Sequence, residues 1–499
     1  MKLPRSYYNN ITYLGTIIAG IAWITLIFFV VQIYFFKIDN VYFDLYAFIV
    51  TPAFLIMGHI IIPVGMYIRN KKIKSGVKIS DDRLLVINLR DSKTRNAILI
   101  FSVISVFFII STVVGSYKAF HYSESVEFCG KLCHKVMQPE YVAYQNSPHA
   151  RVKCAECHVG EGADFYVKSK MSGMRQIFKY TLNTYVRPIA TPIENLRPAR
   201  ETCEKCHWPQ KFYTNALRNE KYFLADSANT EWDITLNMKI GASHQSLGLA
   251  EGIHWHINPD YKIEYKTNAK HDVIYWVKKT NKKTGVELLY KNNEVDLKPD
   301  AITKLEPRTM DCMDCHNRPS HEFRSPSRYV NNLLTAQPKY AAIPWFKAAA
   351  MDALKVMYST TDSSLNGIKS KIIKYYMDQY PAVYKQYSKD ILAGIEAVKT
   401  EFSKNAFPEM KVTYSVYPRH IGHLESNGCF RCHNDKFVTS TGKKISKDCN
   451  LCHTIVSQGK SKALNYTGIN ATLGFEHPVD IGDAWKETNC MDCHSEMYK

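Results

Sequence analysis

The cysteines of this 499-residue chain constrain it more than any other feature. There are 14, and every one belongs to a pair followed at once by histidine. Six groups have the spacing C-x-x-C-H: Cys154, Cys157 and His158; Cys203, Cys206 and His207; Cys312, Cys315 and His316; Cys429, Cys432 and His433; Cys449, Cys452 and His453; Cys490, Cys493 and His494. The first group in the chain is one residue longer, Cys129-Gly-Lys-Leu-Cys133-His134. C-x-x-C-H is the attachment signature of haem c: two thiols add to the porphyrin vinyl groups and the adjacent imidazole sits under the iron. Disulfides do not account for a histidine after every pair. A zinc ribbon merges two pairs into one tetrahedral site, for which a histidine abutting the cysteine is poorly placed. The pattern predicts seven covalently bound haem c groups, with His134, His158, His207, His316, His433, His453 and His494 as proximal iron ligands.

The formal net charge is +18 at pH 7. A basic chain can mark a nucleic-acid partner. No nucleic-acid motif accompanies it, and seven haems with two propionates each add ~14 negative charges. The loaded protein is expected to be much nearer neutral, with no nucleic-acid partner.

Much of the apolar content lies in the first 120 residues. Three uncharged runs, 12–36, 45–68 and 97–117, each exceed the ~20 residues that a helix needs to cross the hydrocarbon of a bilayer. The first is too long for a cleavable signal peptide and leads quickly into a second span. Residues 69–96 carry nine basic residues and three acids, against one basic residue in the 37–40 link. Basic loops stay in the cytoplasm. The N-terminus and the long loop are therefore expected inside, with all seven motifs on the periplasmic side of a bacterial inner membrane. His59 lies within the second run. It is read as a neutral histidine bonded to a neighbouring helix, and since residues 11–120 contain no other histidine, no intramembrane haem is expected.

Beyond residue 120 the motif spacing divides the chain. The expected modules are 1–120, a three-helix transmembrane domain; 121–215, three haems; 216–308, a haem-free β-containing insertion; 309–425, one haem and helices; and 426–499, three haems. Within the insertion, 261–265 alternates, 273–277 is β-branched and aromatic, and Lys283-Thr-Gly285 marks a turn before 286–290, which predicts a small antiparallel sheet. Pro344 and Pro381 are placed to open helices over 345–358 and 382–404, and 367–377 repeats apolar residues at helical spacing. The fold class expected is a membrane-anchored multihaem cytochrome: three N-terminal transmembrane helices and a mainly α or irregular haem-packed region with a small antiparallel β insertion. Porphyrins are expected to supply most of the apolar mass, leaving the apoprotein largely unfolded outside the membrane.

Each haem potential depends on the sixth ligand, burial and hydrogen bonding. Ten histidines remain besides His59 and the proximal seven: His121, His149, His244, His254, His256, His271, His321, His420, His423 and His477. They are enough to make most sites bis-histidine. By position the distal candidates are His149, His254, His256, His321, His423 and His477. Met137, three residues after His134, is a thioether candidate for the first haem. The alternative for each is a surface, structural or core residue.

The run Phe128-Cys-Gly-Lys-Leu-Cys-His-Lys-Val-Met137, followed by Ser147-Pro-His-Ala-Arg-Val-Lys-Cys154 and Lys168-Ser-Lys-Met-Ser-Gly173, resembles the NapC/NirT family over about residues 97–215. Those are membrane-anchored cytochromes that oxidise quinol at the outer face of the inner membrane. The whole chain is similar to heptahaem inner-membrane cytochromes of the ImcH type, linked to electron export to extracellular acceptors. The resemblance carries the first-haem methionine onto Met137 and a distal histidine onto His149. It raises His254, His321, His423 and His477 as distal ligands without deciding between His254 and His256. It implies a quinol site near the first haem using a lysine and an acid, for which Lys168, Lys170 and Asp164 are the candidates. The longer spacing of Cys129 and Cys133 departs from the family pattern.

The function expected is oxidation of menaquinol and electron transfer through seven haems to a soluble periplasmic cytochrome, in anaerobic respiration or extracellular electron transfer. Its partners are then the lipid bilayer, the quinol pool and that cytochrome, with a homo-oligomer or a larger membrane complex open. The alternative is a terminal reductase of a small oxyanion such as nitrite, which needs an iron with an open position. A third reading makes the helices a docking subunit for a larger assembly.

Overall fold

The computed structural model describes residues 5–35, 50–75, 90, 92–160, 163–191, 198–212, 215–242, 252–295, 302 and 304–497. The chain forms two compact units, Met1–His134 and Lys135–Lys499.

The first unit is built from α1 (Asn10–Phe35), α2 (Thr51–Lys74) and α3 (Ser92–Ser123). Among the described residues, Asn10–Gln32 and Thr51–Lys74 are long and apolar enough to cross a membrane, with mean hydropathies of 2.5 and 1.6. Leu14, Ile17, Ile21, Ile24 and Phe28 of α1 are exposed, as side chains facing lipid must be. The third expected span, 97–117, lies inside the continuous helix α3, many of whose side chains are outside the described residues. So is most of the basic loop, residues 76–89 and 91. Helices α1 and α2 meet through small residues. A Cβ on Gly58 would come within 2.7 Å of the Ala19 backbone nitrogen, and one on Gly65 within 2.5 Å of Thr12 Oγ1. In lipid the hydrophobic effect does not drive helices together, so close backbone approach at small residues is what holds such a pair. Asn9 Nδ2 adds a hydrogen bond to the Gly65 carbonyl at 3.2 Å. His59 bonds through Nδ1 to the carbonyl of Leu55 on its own helix, 2.9 Å away.

In the second unit α4 (His134–Gln145, which begins at the last residue of the first unit) and α5 (Ala163–Thr181) precede two antiparallel sheets. The strands are β1 (Asn215–Phe223), β2 (Glu231–Lys239), β3 (Tyr261–Thr267), β4 (Ile274–Asn281), β5 (Glu287–Asn292), β6 (Arg308–Thr309), β7 (Phe437–Val438), β8 (His453–Lys460) and β9 (Ala463–Tyr466). One sheet has the order β1-β2-β8-β9 and the other β6-β3-β4-β5-β7. Strands β3 to β5 are the sheet anticipated from the alternation. Tyr265 lies opposite Val277, and Val277 opposite Tyr290. Gly285, at φ +72°, makes the turn. This sheet is not a self-contained insertion at 216–308. Its edge β5 pairs with β7, and β2 pairs with β8, both from beyond residue 436. An unpaired edge exposes a row of backbone donors and acceptors, and here the C-terminal segments cover those edges.

Between β6 and β7 runs a helical bundle, α6 (Pro326–Ala336), α7 (Phe346–Leu354), α8 (Thr361–Gln379) and α9 (Pro381–Asn405). Ser325 caps α6 by accepting from Arg328 N, and Thr360 caps α8 by accepting from Ser363 N. Pro381 sits in the first turn of α9, as its position suggested. Ile368, Ile372 and Tyr376 face inward from α8, and Ile391, Ile395, Val398 and Phe402 from α9. Gly394 lets the Phe346 ring approach to 2.6 Å from where a Cβ would stand. The expectation of a core made mostly of porphyrin fails here, because the helix faces supply a closed side-chain core. Tyr329, Tyr340 and Tyr376 are packing residues within it.

Candidate haem iron sites

The motifs fold locally into single turns. Cys154–His158 and Cys312–Cys315 are short α-helices, Gly428–Arg431 and Cys449–Leu451 are 3-10 turns, and Cys490–Met497 is helical. In a helical turn residues i, i+3 and i+4 share one face, so both sulfurs and the imidazole can address one porphyrin. Acids in and beside the motifs cap these turns. Asp311 accepts from Met313 N at 2.8 Å and Asp314 returns a bond to Asp311 N at 2.6 Å; Asp448 accepts from Asn450 N at 2.9 Å. None of the fourteen cysteines is paired in a disulfide.

Six of the seven histidines next to a cysteine pair have a second imidazole facing them. Ring centres are 6.1 Å apart for His149 and His207, 6.1 Å for His158 and His321, and 6.3 Å for His254 and His316. They are 5.8 Å apart for His256 and His433, 6.3 Å for His423 and His453, and 5.9 Å for His477 and His494. A metal–imidazole bond is about 2 Å and the ring centre lies roughly 1 Å farther, so two rings across one metal have centres about 6 Å apart. The residues thus fit one iron per pair. Burial holds His158, His256, His316, His321, His423, His433, His453 and His494 below the ordinary histidine range, with the facing imidazole a further cause for most. Neutral imidazole is the form that ligates a metal.

Six of the seven distal candidates from the sequence, all but Met137, are brought into these pairs. The choice between His254 and His256 dissolves: both sit on one 3-10 turn, Ile253–Ile257, and face different motifs. Ring Nδ1 atoms are oriented by backbone carbonyls, His149 by Pro319 (3.2 Å), His254 by Ile240 (2.7 Å), His256 by Ile253 (2.8 Å), His433 by Ser446 (3.0 Å) and His477 by Val479 (2.7 Å). Such bonds fix the tautomer that leaves Nε2 free for a metal.

The other candidates are less assembled. Among the described residues no second imidazole lies against His134. Met137 follows it on α4, half-buried. Lys168 and Lys170 lie on α5, with Lys168 Nζ 5.7 Å from the Phe165 ring centre. The side chain of Asp164 and all of His244 lie outside the described residues. His121 packs on Tyr117, 4.3 Å between centres. His420 is buried, bonded by Nδ1 to the Asp314 carbonyl at 3.1 Å, and burial pushes it down to about 4.

Successive motifs touch. The Cys203 and Cys312 side chains are neighbours, and that proximity with burial holds the Cys203 thiol above its ordinary value. Arg431 Nη2 of the fifth motif donates to the Asp314 carbonyl of the fourth at 2.7 Å. Lys447, two residues before the sixth, donates to the Thr488 carbonyl before the seventh at 3.2 Å. Cys452 is pushed up to about 11 by burial and next by Cys429. Sequence reasoning missed Glu140 and Arg318, which meet at 3.2 Å beside His321. Only their place three residues after Met137 and two after His316 could have hinted at them.

Comparison with known proteins bears on these sites. The NapC/NirT cytochrome c family, N-terminal region, matches residues 91–191. The cytochrome c-type protein ImcH of Geobacter sulfurreducens is 41% identical over 494 residues, covering 99% of this chain and 96% of that protein. No solved structure matches. With C-x-x-C-H turns, facing imidazoles and apolar N-terminal helices already in place, the chain belongs with ImcH among the membrane-anchored c-type cytochromes that carry a NapC/NirT domain, bind haem covalently and transfer electrons.

Proposed function

We propose that this protein oxidises menaquinol at the periplasmic face of the inner membrane and passes the electrons through seven c-type haems to a soluble periplasmic cytochrome, in anaerobic respiration or electron export. Helices α1, α2 and α3 all span the bilayer in this reading, and everything after α3 is periplasmic. The fourteen cysteines hold the haems, and His134, His158, His207, His316, His433, His453 and His494 are the proximal ligands.

The observation that carries the reading is the set of six imidazole pairs at iron-spanning distance. A haem iron between two imidazoles exchanges electrons and offers no position to a substrate. That weighs against the reductase alternative, which needs a weakly ligated iron in a pocket. The first site, with Met137 as sixth ligand, is the exception in type. In this reading the chain's own residues link neighbouring sites among the other six. His149, beside the second motif, serves the third; the Cys203–Cys312 contact joins third to fourth; one turn carrying His254 and His256 joins fourth to fifth; and His423, beside the fifth motif, serves the sixth. A lysine and an acid hold the quinol hydroxyls and receive their protons, with Lys168, Lys170 and Asp164 on α5 as the candidates that the family resemblance supports.

The test uses the full-length protein in detergent. Mass analysis is expected to show seven added haems, and a menaquinol analogue is expected to reduce them in a manner blocked by a quinol-site inhibitor. Haem reduction that fails, or that ignores the inhibitor, removes the quinol reading. A dominant high-spin ferric signal with turnover of nitrite would favour the reductase.

A further inference from the structure

Glu140 differs from the described groups that orient rings in the other pairs. The described partners of His149, His254, His256, His433 and His477 are neutral backbone carbonyls. His321 Nδ1 also bonds a carbonyl, that of Glu140 at 3.0 Å, but faces in addition a Glu140 carboxylate oxygen at 3.2 Å. The carboxylate is held in place. Arg318 Nη2 reaches both its oxygens, at 3.2 and 3.3 Å. The Arg318 guanidinium lies 4.3 Å from the Tyr417 ring centre and 5.2 Å from that of Phe323. The side chains of Arg318 and Glu140 are only 10% and 15% exposed, so solvent screens the contact little.

The opposite case is in the same chain. His423 and His453 face each other, and the Nδ1 of each is buried with no hydrogen-bond partner.

An imidazole whose N–H lies against a carboxylate is a stronger electron donor to its metal than one that meets a carbonyl alone, and one with no partner is weaker. Stronger donation favours ferric over ferrous iron and lowers the potential. Arg318 offsets part of the Glu140 charge, and what remains acts on the His321 ring, whose N–H already bonds the Glu140 carbonyl.

We propose that Glu140 is a positioning residue that strengthens His321 as a ligand and makes the His158–His321 site the lowest in potential of the six bis-histidine sites. This rests on the reading that these histidines hold haem iron. The His423–His453 site stands at the high end. Electron transfer from the His158–His321 site to the His423–His453 site then runs downhill.

The experiment is a spectroelectrochemical titration of the full-length holoprotein, wild type against Glu140→Gln and Glu140→Asp, with haem content by mass and ligation by electron paramagnetic resonance on the same samples. In Glu140→Gln the most negative component is expected to shift upward while the others stay, with seven haems and low-spin ligation retained. Glu140→Asp, which keeps a carboxylate, is expected to stay close to wild type. An unmoved lowest component with haems intact overturns the proposal, as does a shift of a different component or an equal shift of all. Haem loss or a new high-spin signal in both variants would make Glu140 structural and overturn it too. A wild-type protein without haem at these pairs would instead sink the underlying functional reading.

Discussion

His321 stands five residues after the fourth attachment motif, yet its ring faces His158 of the second. His254, far from any motif in sequence, faces His316 of the fourth. If the two histidines serve different irons, His321→Ala and His254→Ala should each convert one haem to high spin, and the double variant two. Integration of the high-spin ferric signal checks this; one high-spin haem in the double variant would mean that both compete for the same site. Lys347 makes a different residue-scale statement. It is buried with Nζ donating to the Phe223 carbonyl at 2.5 Å and to Asn331 Oδ1 at 2.6 Å, and burial pushes it down to about 7. Below that value lysine is charged in both folded and unfolded chains and the cost of burying it is fully present. Between about 7 and the ordinary lysine range the unfolded chain holds more protons, so stability rises with pH. Denaturant titrations of the bundle at pH 7 and pH 9.5 should show the rise, and Lys347→Met should flatten it.

Elements differ in how much they rely on small residues for packing. A side chain at Gly394 would meet the Phe346 ring. Gly394→Val is expected to cost about 1–3 kcal/mol by overpacking, visible as a lower melting temperature of the α6–α9 bundle without loss of haem. Gly58 on α2 meets the backbone of α1, where no side chain can move aside, so Gly58→Leu should separate the two helices and reduce the yield of membrane-extracted protein. The strands illustrate what local pattern conveys. β3 to β5 alternate and are joined by short turns, and their pairing could be read directly. β8 pairs with β2 across more than 200 residues, and β7 has only two residues; no local periodicity announces either.

For the whole molecule the balance between porphyrin and side-chain core varies by region. Around the motifs few large apolar side chains are fully buried, whereas α6 to α9 enclose a continuous cluster including Phe346, Ile368, Ile372, Ile391 and Ile395. Apoprotein made without haem attachment should therefore keep a protease-resistant helical fragment over about residues 326–405, while the motif-bearing segments are degraded. Uniform degradation of everything beyond the membrane helices would show that the bundle, too, depends on haem.

Attachment chemistry was legible in the sequence because it is local. Two sulfurs and an imidazole at i, i+3 and i+4 need only one helical turn, and apolar runs of membrane length announce themselves by composition. The histidines whose rings face the motif histidines could be named as candidates, since the remaining histidines were few. Which ring faces which motif was decided by the tertiary structure alone, as were the carboxylate behind His321 and the unpartnered nitrogens of His423 and His453. These depend on segments separated by up to 181 residues meeting at contact distance, and the free energy that brings them together comes from sheets, helices and haems packing as one unit rather than from any stretch of chain.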